Sequence, residues 1–174
     1  LEWLREKRRD GVRKWMIIGM LPNWGGEGHE TVYSPETELD FEATCQGWYG
    51  AIAWKPFYAH CDDGATFVYE EESPNNHHPR GIHESGTLYL YTEVRCERRS
   101  EADLHLNSDY PIKVWLNGSS VFEDPVGHNS AAPRESTRVL LRTGRNSILI
   151  KTAKQAGPLR VHIGFSFVNI PAQL

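Results

Sequence analysis

Between Glu101 and Asp124 the chain alternates apolar and polar side chains with a period of two. Ala102, Leu104 and Leu106 interleave with Asp103, His105 and Asn107, and Ile112, Val114 and Leu116 interleave with Lys113, Trp115 and Asn117. That period predicts half-buried antiparallel strands. Ser108-Asp109-Tyr110-Pro111 supplies turn chemistry after the first run, because Asp tolerates turn geometry and Pro fixes φ. Asn117-Gly118, set between apolar runs, is the strongest short-range hairpin signal. The stretch is predicted to be a three-stranded β-meander.

The pattern extends along most of the chain. Residues 12–21 read as a first strand, with Met16 and Ile18 on one face and Trp15 and Ile17 on the other. Residues 22–35 form a long glycine-containing loop, followed by short strands over 39–45, 50–58 and 66–70. Residues 71–86 carry Pro74, Asn75, Asn76, His77, His78 and Pro79, which is loop composition. A strand over 87–96 sets Leu88, Leu90, Val94 and Cys96 opposite Tyr89, Tyr91, Glu93 and Arg95. Thr137, Val139 and Leu141 then alternate with Arg138, Leu140 and Arg142, while 147–152 is apolar on both faces, as a central strand is. Leu159, Val161, Ile163, Phe165 and Phe167 close the chain. Many short strands, turn punctuation and little helix predict an all-β fold, an antiparallel β-sandwich of jelly-roll type. Residues 1–11 are charged and unbroken until Gly11, which predicts a short N-terminal helix or linker ahead of a sandwich domain over 12–174.

Composition narrows the classes. A chain of 174 residues, 39% hydrophobic and 24% charged, suits one soluble domain with a sizeable core. A net charge of −4 gives no reason to expect a nucleic-acid partner. No apolar run approaches the roughly 18 residues of a bilayer span, so no membrane partner is expected. The chain starts at Leu1 without a signal peptide, as a processed protein or an excised domain would. Cys45, Cys61 and Cys96 are odd in number and widely spaced. Buried free thiols are expected, with one disulfide plus a free thiol as the alternative in an exported protein.

Several segments together resemble the galactose-binding-like jelly-roll domains attached to bacterial polysaccharide-degrading enzymes, relatives of the sugar-binding domain of β-galactosidase-type glycosidases. Lys113-Val114-Trp115-Leu116-Asn117-Gly118 looks like their "kVWlNG" hairpin, and Leu88-Tyr89-Leu90-Tyr91-Thr92 resembles the strand that opens their second half. Residues 140–151, LLRTGRNSILIK, resemble "V.L..G.N.LLVK". Trp15 to Pro22 resembles a "W…GPFP" opening with Gly19-Met20-Leu21 in place of Gly-Pro-Phe, and Tyr33-Ser34-Pro35-Glu36 resembles a following "PPE". The turn at Ser108-Asp109-Tyr110-Pro111 departs from the family's Ser-Asp-Asp-Gly. The resemblance implies a jelly roll, an accessory rather than catalytic role, and a secreted or periplasmic bacterial parent protein. Jelly rolls of this kind often carry a structural calcium, for which Glu36, Glu38, Asp40, Asp62 and Asp63 are eligible ligands, although no spacing singles out a site.

Catalytic signatures do not survive inspection. Gly164-Phe165-Ser166-Phe167-Val168 lacks the final glycine of a nucleophile elbow, and His83-Glu84 has no second histidine at zincin spacing. Asp62-Asp63 and Glu70-Glu71-Glu72 are adjacent carboxylates, whereas glycosidase pairs face each other across a cleft. His77, His78 and His83, with His60 nearby, are the densest metal-capable group, but Asn, Pro and Arg flank them and no metal is assigned. Sugar binding needs an aromatic face for the apolar side of a pyranose and planar polar groups for its hydroxyls. Trp24, in a glycine-rich loop, and Trp48, after Gly47, are the candidate faces. His77, His78, Arg80 and Arg134 are the candidate polar partners. Trp54, Tyr58 and Trp115 lie on predicted strands, where core packing is the expectation. The predicted function is therefore a non-catalytic accessory module of a carbohydrate-active enzyme, partnered by a glycan and a neighbouring catalytic domain. The alternative is a structural or interaction domain that packs on a catalytic domain or another subunit without binding sugar.

Overall fold

The computed structural model describes residues 14–61, 65–69, 85–128, 135–155 and 159–167. The predicted N-terminal helix lies outside them. The described strands are β1 (Lys14–Leu21), β2 (Thr44–Gln46), β3 (Ala51–Ala53), β4 (Lys55–Tyr58), β5 (His60–Cys61), β6 (Ala65–Tyr69), β7 (Gly86–Cys96), β8 (Ser100–Ser108), β9 (Ile112–Leu116), β10 (Ser119–Asp124), β11 (Glu135–Leu141), β12 (Gly144–Lys154) and β13 (Leu159–Phe167). A 3-10 segment, Trp24–His29, and the single-turn helix α1, Ser34–Thr37, fill part of the loop after β1. The fold is an antiparallel β-sandwich. One sheet runs β10-β9-β12-β7-β1-β4 and the other β11-β8-β13-β6-β5, with β2-β3 as a separate ribbon.

Period-two alternation builds the core directly. Trp15 and Ile17 from β1, Leu88, Leu90, Val94 and Cys96 from β7, and Ile148 and Ile150 from β12 face inward. They meet Ala102, Leu104 and Leu106 from β8 and Leu159, Val161 and Ile163 from β13. These are the faces that the sequence predicts. β12 lies between β9 and β7, the central place expected of a strand apolar on both faces. Two-sided burial of this kind removes apolar surface from water at roughly 25 cal/mol per Å2.

The predicted meander is corrected by the topology. β8 belongs to the five-stranded sheet and β9 to the six-stranded one, so the two do not pair. The turn residues between them give their backbone hydrogen bonds to other strands. Asp109 N–H donates to Arg160 O (3.1 Å), and Pro111 O accepts from Ala153 N–H (3.1 Å). Ser108-Asp109-Tyr110-Pro111 is a crossing between layers. Of these three strands, β9 and β10 alone form a hairpin, closed by Asn117 (φ 53°) and Gly118 (φ 80°). Both left-handed φ values suit the primed two-residue turn that Asn-Gly favours.

A second motif has a structural explanation in Asn146, which is fully buried. Its Oδ1 accepts from Arg142 N–H (2.8 Å), and its Nδ2 donates to Arg142 O (2.9 Å), closing the turn into β12. Asn117 Nδ2 donates to the same Oδ1 (3.0 Å), so the two turns are joined. The Gly-x-Asn of LLRTGRNSILIK is a turn staple. The predicted strand over 50–58 is broken into β3 and β4 at Trp54, whose side chain is buried against Phe41 on the outer face of the larger sheet.

Candidate functional site

The outer face of the six-stranded sheet carries the unusual chemistry. Ile18, Tyr89, Lys151 and Lys113 occupy one row across β1, β7, β12 and β9. Two lysines side by side repel, and Lys151 is only 1% exposed. The segment after β1 resolves the conflict by bringing carboxylates over the row. Lys151 Nζ donates to Glu36 Oε1 on α1 (2.7 Å) and to Thr31 O (2.6 Å). It also sits over the rings of Tyr33 (5.6 Å) and Tyr89 (5.8 Å). Tyr89 OH donates to the same Glu36 oxygen. Burial pulls the Lys151 ammonium below the ordinary lysine range, while the bond to Glu36 opposes that shift. Burial raises Tyr89 and Tyr33 above the ordinary phenol, with Glu36 adding to the rise at both. A charge in such a place persists only when paired and hydrogen-bonded.

The neighbouring lysine is treated differently. Lys113 Nζ reaches Glu123 Oε1 (3.1 Å) and Glu30 Oε2 (3.4 Å). Burial works against the Lys113 ammonium, but hydrogen bonding and charge from Glu123 and Glu30 outweigh it and raise its pKa. The bond to Lys113 holds the Glu123 carboxyl below the ordinary range. The buried His29 joins this network through Nε2, 3.1 Å from Glu123 Oε1.

The other end of the 3-10 segment is bolted down by Asn23, which is 3% exposed. Asn23 Nδ2 donates to Lys154 O at the end of β12 (3.0 Å), and its Oδ1 accepts from Gly28 N–H (2.6 Å). Ser85 Oγ donates to Asn23 O (3.4 Å). A side chain at Gly28 would bring its Cβ within 2.2 Å of Thr87 Oγ1 and 2.6 Å of Asn23 Oδ1. Glycine is required there by close approach, as it is at Gly25 and Gly26 by left-handed φ values of 60° and 85°. Trp24 is thereby lifted out of the surface on a loop pinned at both ends.

Trp24 is 70% exposed and lies against Trp48, with ring centroids 4.4 Å apart at 67°. Trp48 is half-buried, and its Nε1–H donates to Ser85 O (3.0 Å). Two clefts adjoin this pair. One, about 510 Å3, is lined by Trp24, Glu27, Thr31, Ser34, Cys45 and Gln46 among others. The second, about 420 Å3, is lined by Asn23, Trp24, Gly25, Trp48, Ser85 and Gln155 among others. Trp24 is the wall common to both. The structure thus joins the two tryptophans singled out from the sequence, while His77, His78, Arg80 and Arg134 lie outside the described residues. The polar groups it places beside the pair include Glu27, Gln46 and Gln155, none of which the sequence marked. No local pattern identifies them, because they come from three separate segments. Of the strand aromatics, Trp54 is buried and Trp115 half-buried on the outer face, whereas Tyr58 is 71% exposed on β4.

Other clusters offer less. Of the eligible calcium ligands, Glu36 is engaged by Lys151 and Tyr89, Asp40 Oδ1 accepts from Glu42 N–H (2.9 Å), Glu38 is exposed, and Asp62 and Asp63 lie outside the described residues. The described residues gather two other metal-capable groups, His29–Glu30–Glu123 and Asp124–His128–Glu135. The first already holds the Lys113 ammonium. In the second, His128 Nε2 lies 3.4 Å from Asp124 Oδ2 and 3.3 Å from Glu135 Oε1. On the exposed face of β8 and β13, His105 Nε2 and Ser166 Oγ are 2.7 Å apart, and the nearby Asp103 carboxylate is taken by Arg138. Cys45 and Cys96 are free thiols, Cys96 in the core and Cys45 3.1 Å from Ser34 Oγ in the larger cleft.

No family model matches the chain, and no curated protein does. Solved structures do. The A domain of epithelial adhesin 9 from Candida glabrata, solved in complex with Galb1-3GlcNAc, has a TM-score of 0.51 at 10% identity, over 91% of this chain and 83% of that one. The same domain in complex with Galb1-4GlcNAc gives 0.50 at 12% identity, with the same coverage. An anti-sigma factor domain-containing protein gives 0.50 at 12% identity, over 91% of this chain but 43% of that chain. A β-glucosidase from Kluyveromyces marxianus overlaps at a TM-score of 0.42 and 9% identity, over 48% of this chain and 11% of that one. The chain thus spans well under two thirds of several proteins it matches. At these identities the likeness is one of fold, an architecture shared with the adhesin A domain and the anti-sigma factor domain-containing protein.

Proposed function

We propose that this domain is a non-catalytic glycan-binding module carried as an accessory to a carbohydrate-active enzyme in a secreted or periplasmic bacterial protein. The observation that carries the reading is Trp24: a large aromatic side chain held in solvent by a loop bolted at Asn23 and His29, set against Trp48 and lining two clefts. Holding an exposed indole in place serves stacking on a sugar ring, because the ordering entropy is spent in folding rather than in binding. Carboxamides and a carboxylate nearby suit hydroxyl recognition. The fold shared with adhesin domains solved in complex with disaccharides is in keeping with this. A fluorescence and calorimetric titration with neutral and acidic plant, algal and host glycans tests it. Binding that is lost in Trp24→Ala without a change in melting temperature is expected. Absence of binding across the panel overturns it.

A second reading is supported by a different observation. Tyr58, 71% exposed on the edge strand β4, and the exposed Tyr49 are apolar surface that a neighbouring catalytic domain or subunit would cover. In that case Tyr58→Ser would weaken association with the neighbouring domain, read by sedimentation, and leave glycan titrations unchanged.

A further inference from the structure

We infer that the ligand is a neutral oligosaccharide that straddles Trp24, with sugar residues in both clefts rather than a single sugar in one; this rests on the glycan-binding reading above. The two clefts share Trp24 as a wall, and each falls in the size range of ordinary ligand sites, roughly 300–1,000 Å3. A shared exposed wall is a ridge. A monosaccharide would use one side of it, whereas a chain crossing it meets the indole at its middle and polar groups at both ends. Each end is equipped. Glu27, Thr31 and Gln46 line one cleft, and Ser85 and Gln155 line the other. Gln46 Nε2 is tied to Gly47 O (3.0 Å), which orients the amide and leaves its oxygen as an acceptor for a hydroxyl.

Charge selects against acidic sugars. Among the described residues lining the two clefts, Glu27 is the one side chain with a formal charge, and it is negative. The whole chain is also negative, at −4. A uronate or sulfate next to Glu27 would face like charge with no cation among the described lining residues to offset it, a mismatch that disfavours the wrong partner. Hydroxyl-rich neutral rings bring no such conflict.

The test is a length and charge series on the full chain, by calorimetry. Glucose, xylose, galactose and mannose are compared with cellotetraose, xylotetraose, galactotetraose and mannotetraose, and with oligogalacturonate and chondroitin sulfate. In whichever neutral series binds, affinity is expected to rise about tenfold or more from monomer to tetramer, because the second contact becomes intramolecular. Gln46→Ala and Gln155→Ala, one in each cleft, should each weaken tetramer binding several-fold with unchanged melting temperature. A monosaccharide that binds as tightly as its tetramer, a single cleft variant that matters while the other does not, or preferred binding of the acidic glycans overturns this inference and leaves the glycan-binding reading in place. No binding by any member overturns both.

Discussion

The six-stranded sheet is covered fully on its inner face and in part on its outer one, and the two burials obey different rules. Its inner face is dry. Leu90, Val114, Ile148 and Ile150 meet aliphatic side chains of the other sheet, and many near-equivalent apolar sets would serve. Its outer face mixes Ile18, Leu21, Trp54 and Tyr89 with a buried lysine, and Lys151 fits under one kind of cover only, a segment bringing a carboxylate, a carbonyl and aromatic faces together. The contrast teaches where specificity comes from. Apolar contact says that a layer packs, whereas buried polar groups, costly when unpaired, say which segment packs there and in what register. That second requirement is what delivers Trp24 to its place.

Breaking the polar cover should have the largest effect. Lys151→Ala leaves Glu36 and Tyr89 without their cation, and a loss of about 3–5 kcal/mol in urea unfolding is expected. Lys151→Met combined with Glu36→Leu should recover much of it; a single variant costing no more than a surface change would remove the distinction drawn between the faces. On the dry side, Leu90→Ala should cost about 2–5 kcal/mol. Its effect should lower hydrogen-exchange protection across both sheets rather than at one loop. Asn23→Ala removes the bonds to Lys154 O and Gly28 N–H, and a cost of about 1–3 kcal/mol is expected. Exchange should quicken chiefly in the amides of 24–29, with glycan binding weakened in step.

Alkaline titration sharpens the same comparison. Tyr33, Tyr89 and Tyr91 have raised pKa values by burial, Tyr91 pushed up to about 12, from an ordinary 10.0. A raised phenol gives stability that is complete below pH 10 and declines as pH rises toward the folded value. Lys151 acts in the opposite sense. With a lowered pKa it binds fewer protons folded than unfolded, so its contribution grows as pH approaches its ordinary 10.5. Stability should therefore fall from about pH 10 upward, and the tyrosinate absorbance removed by Tyr33→Phe, Tyr89→Phe and Tyr91→Phe should belong above the ordinary phenol range. Ionisation of these three at the ordinary phenol value would contradict the outer-face burial. The smallest effect on stability belongs to Trp24→Ala, expected within about 0.5 kcal/mol because the side chain is mostly in solvent.

The legibility of the chain follows this division. Inward and outward faces of β1 and β7, the central position of β12, and the Asn117-Gly118 turn were readable because each depends on residues a few positions apart. The meander was misread because Ser108-Asp109-Tyr110-Pro111 looks alike whether it returns a strand to its own sheet or passes it to the other. The bonds that decide, to Arg160 and Ala153, come from about 40 to 50 positions downstream. Trp24 is visible in a glycine-rich loop and Trp48 after Gly47, but their contact, and their company of Glu27, Gln46 and Gln155, are not.

By itself, then, the order of apolar and polar residues determined a layered antiparallel sandwich and the faces of its strands, since a period of two leaves side chains no other arrangement. Only the tertiary structure decided which sheet received β8 and β9, what covered Lys151, and where Trp24 came to stand. Those outcomes are set by pairing buried charges and amides across long stretches of chain, and a sequence records the partners without recording that they meet.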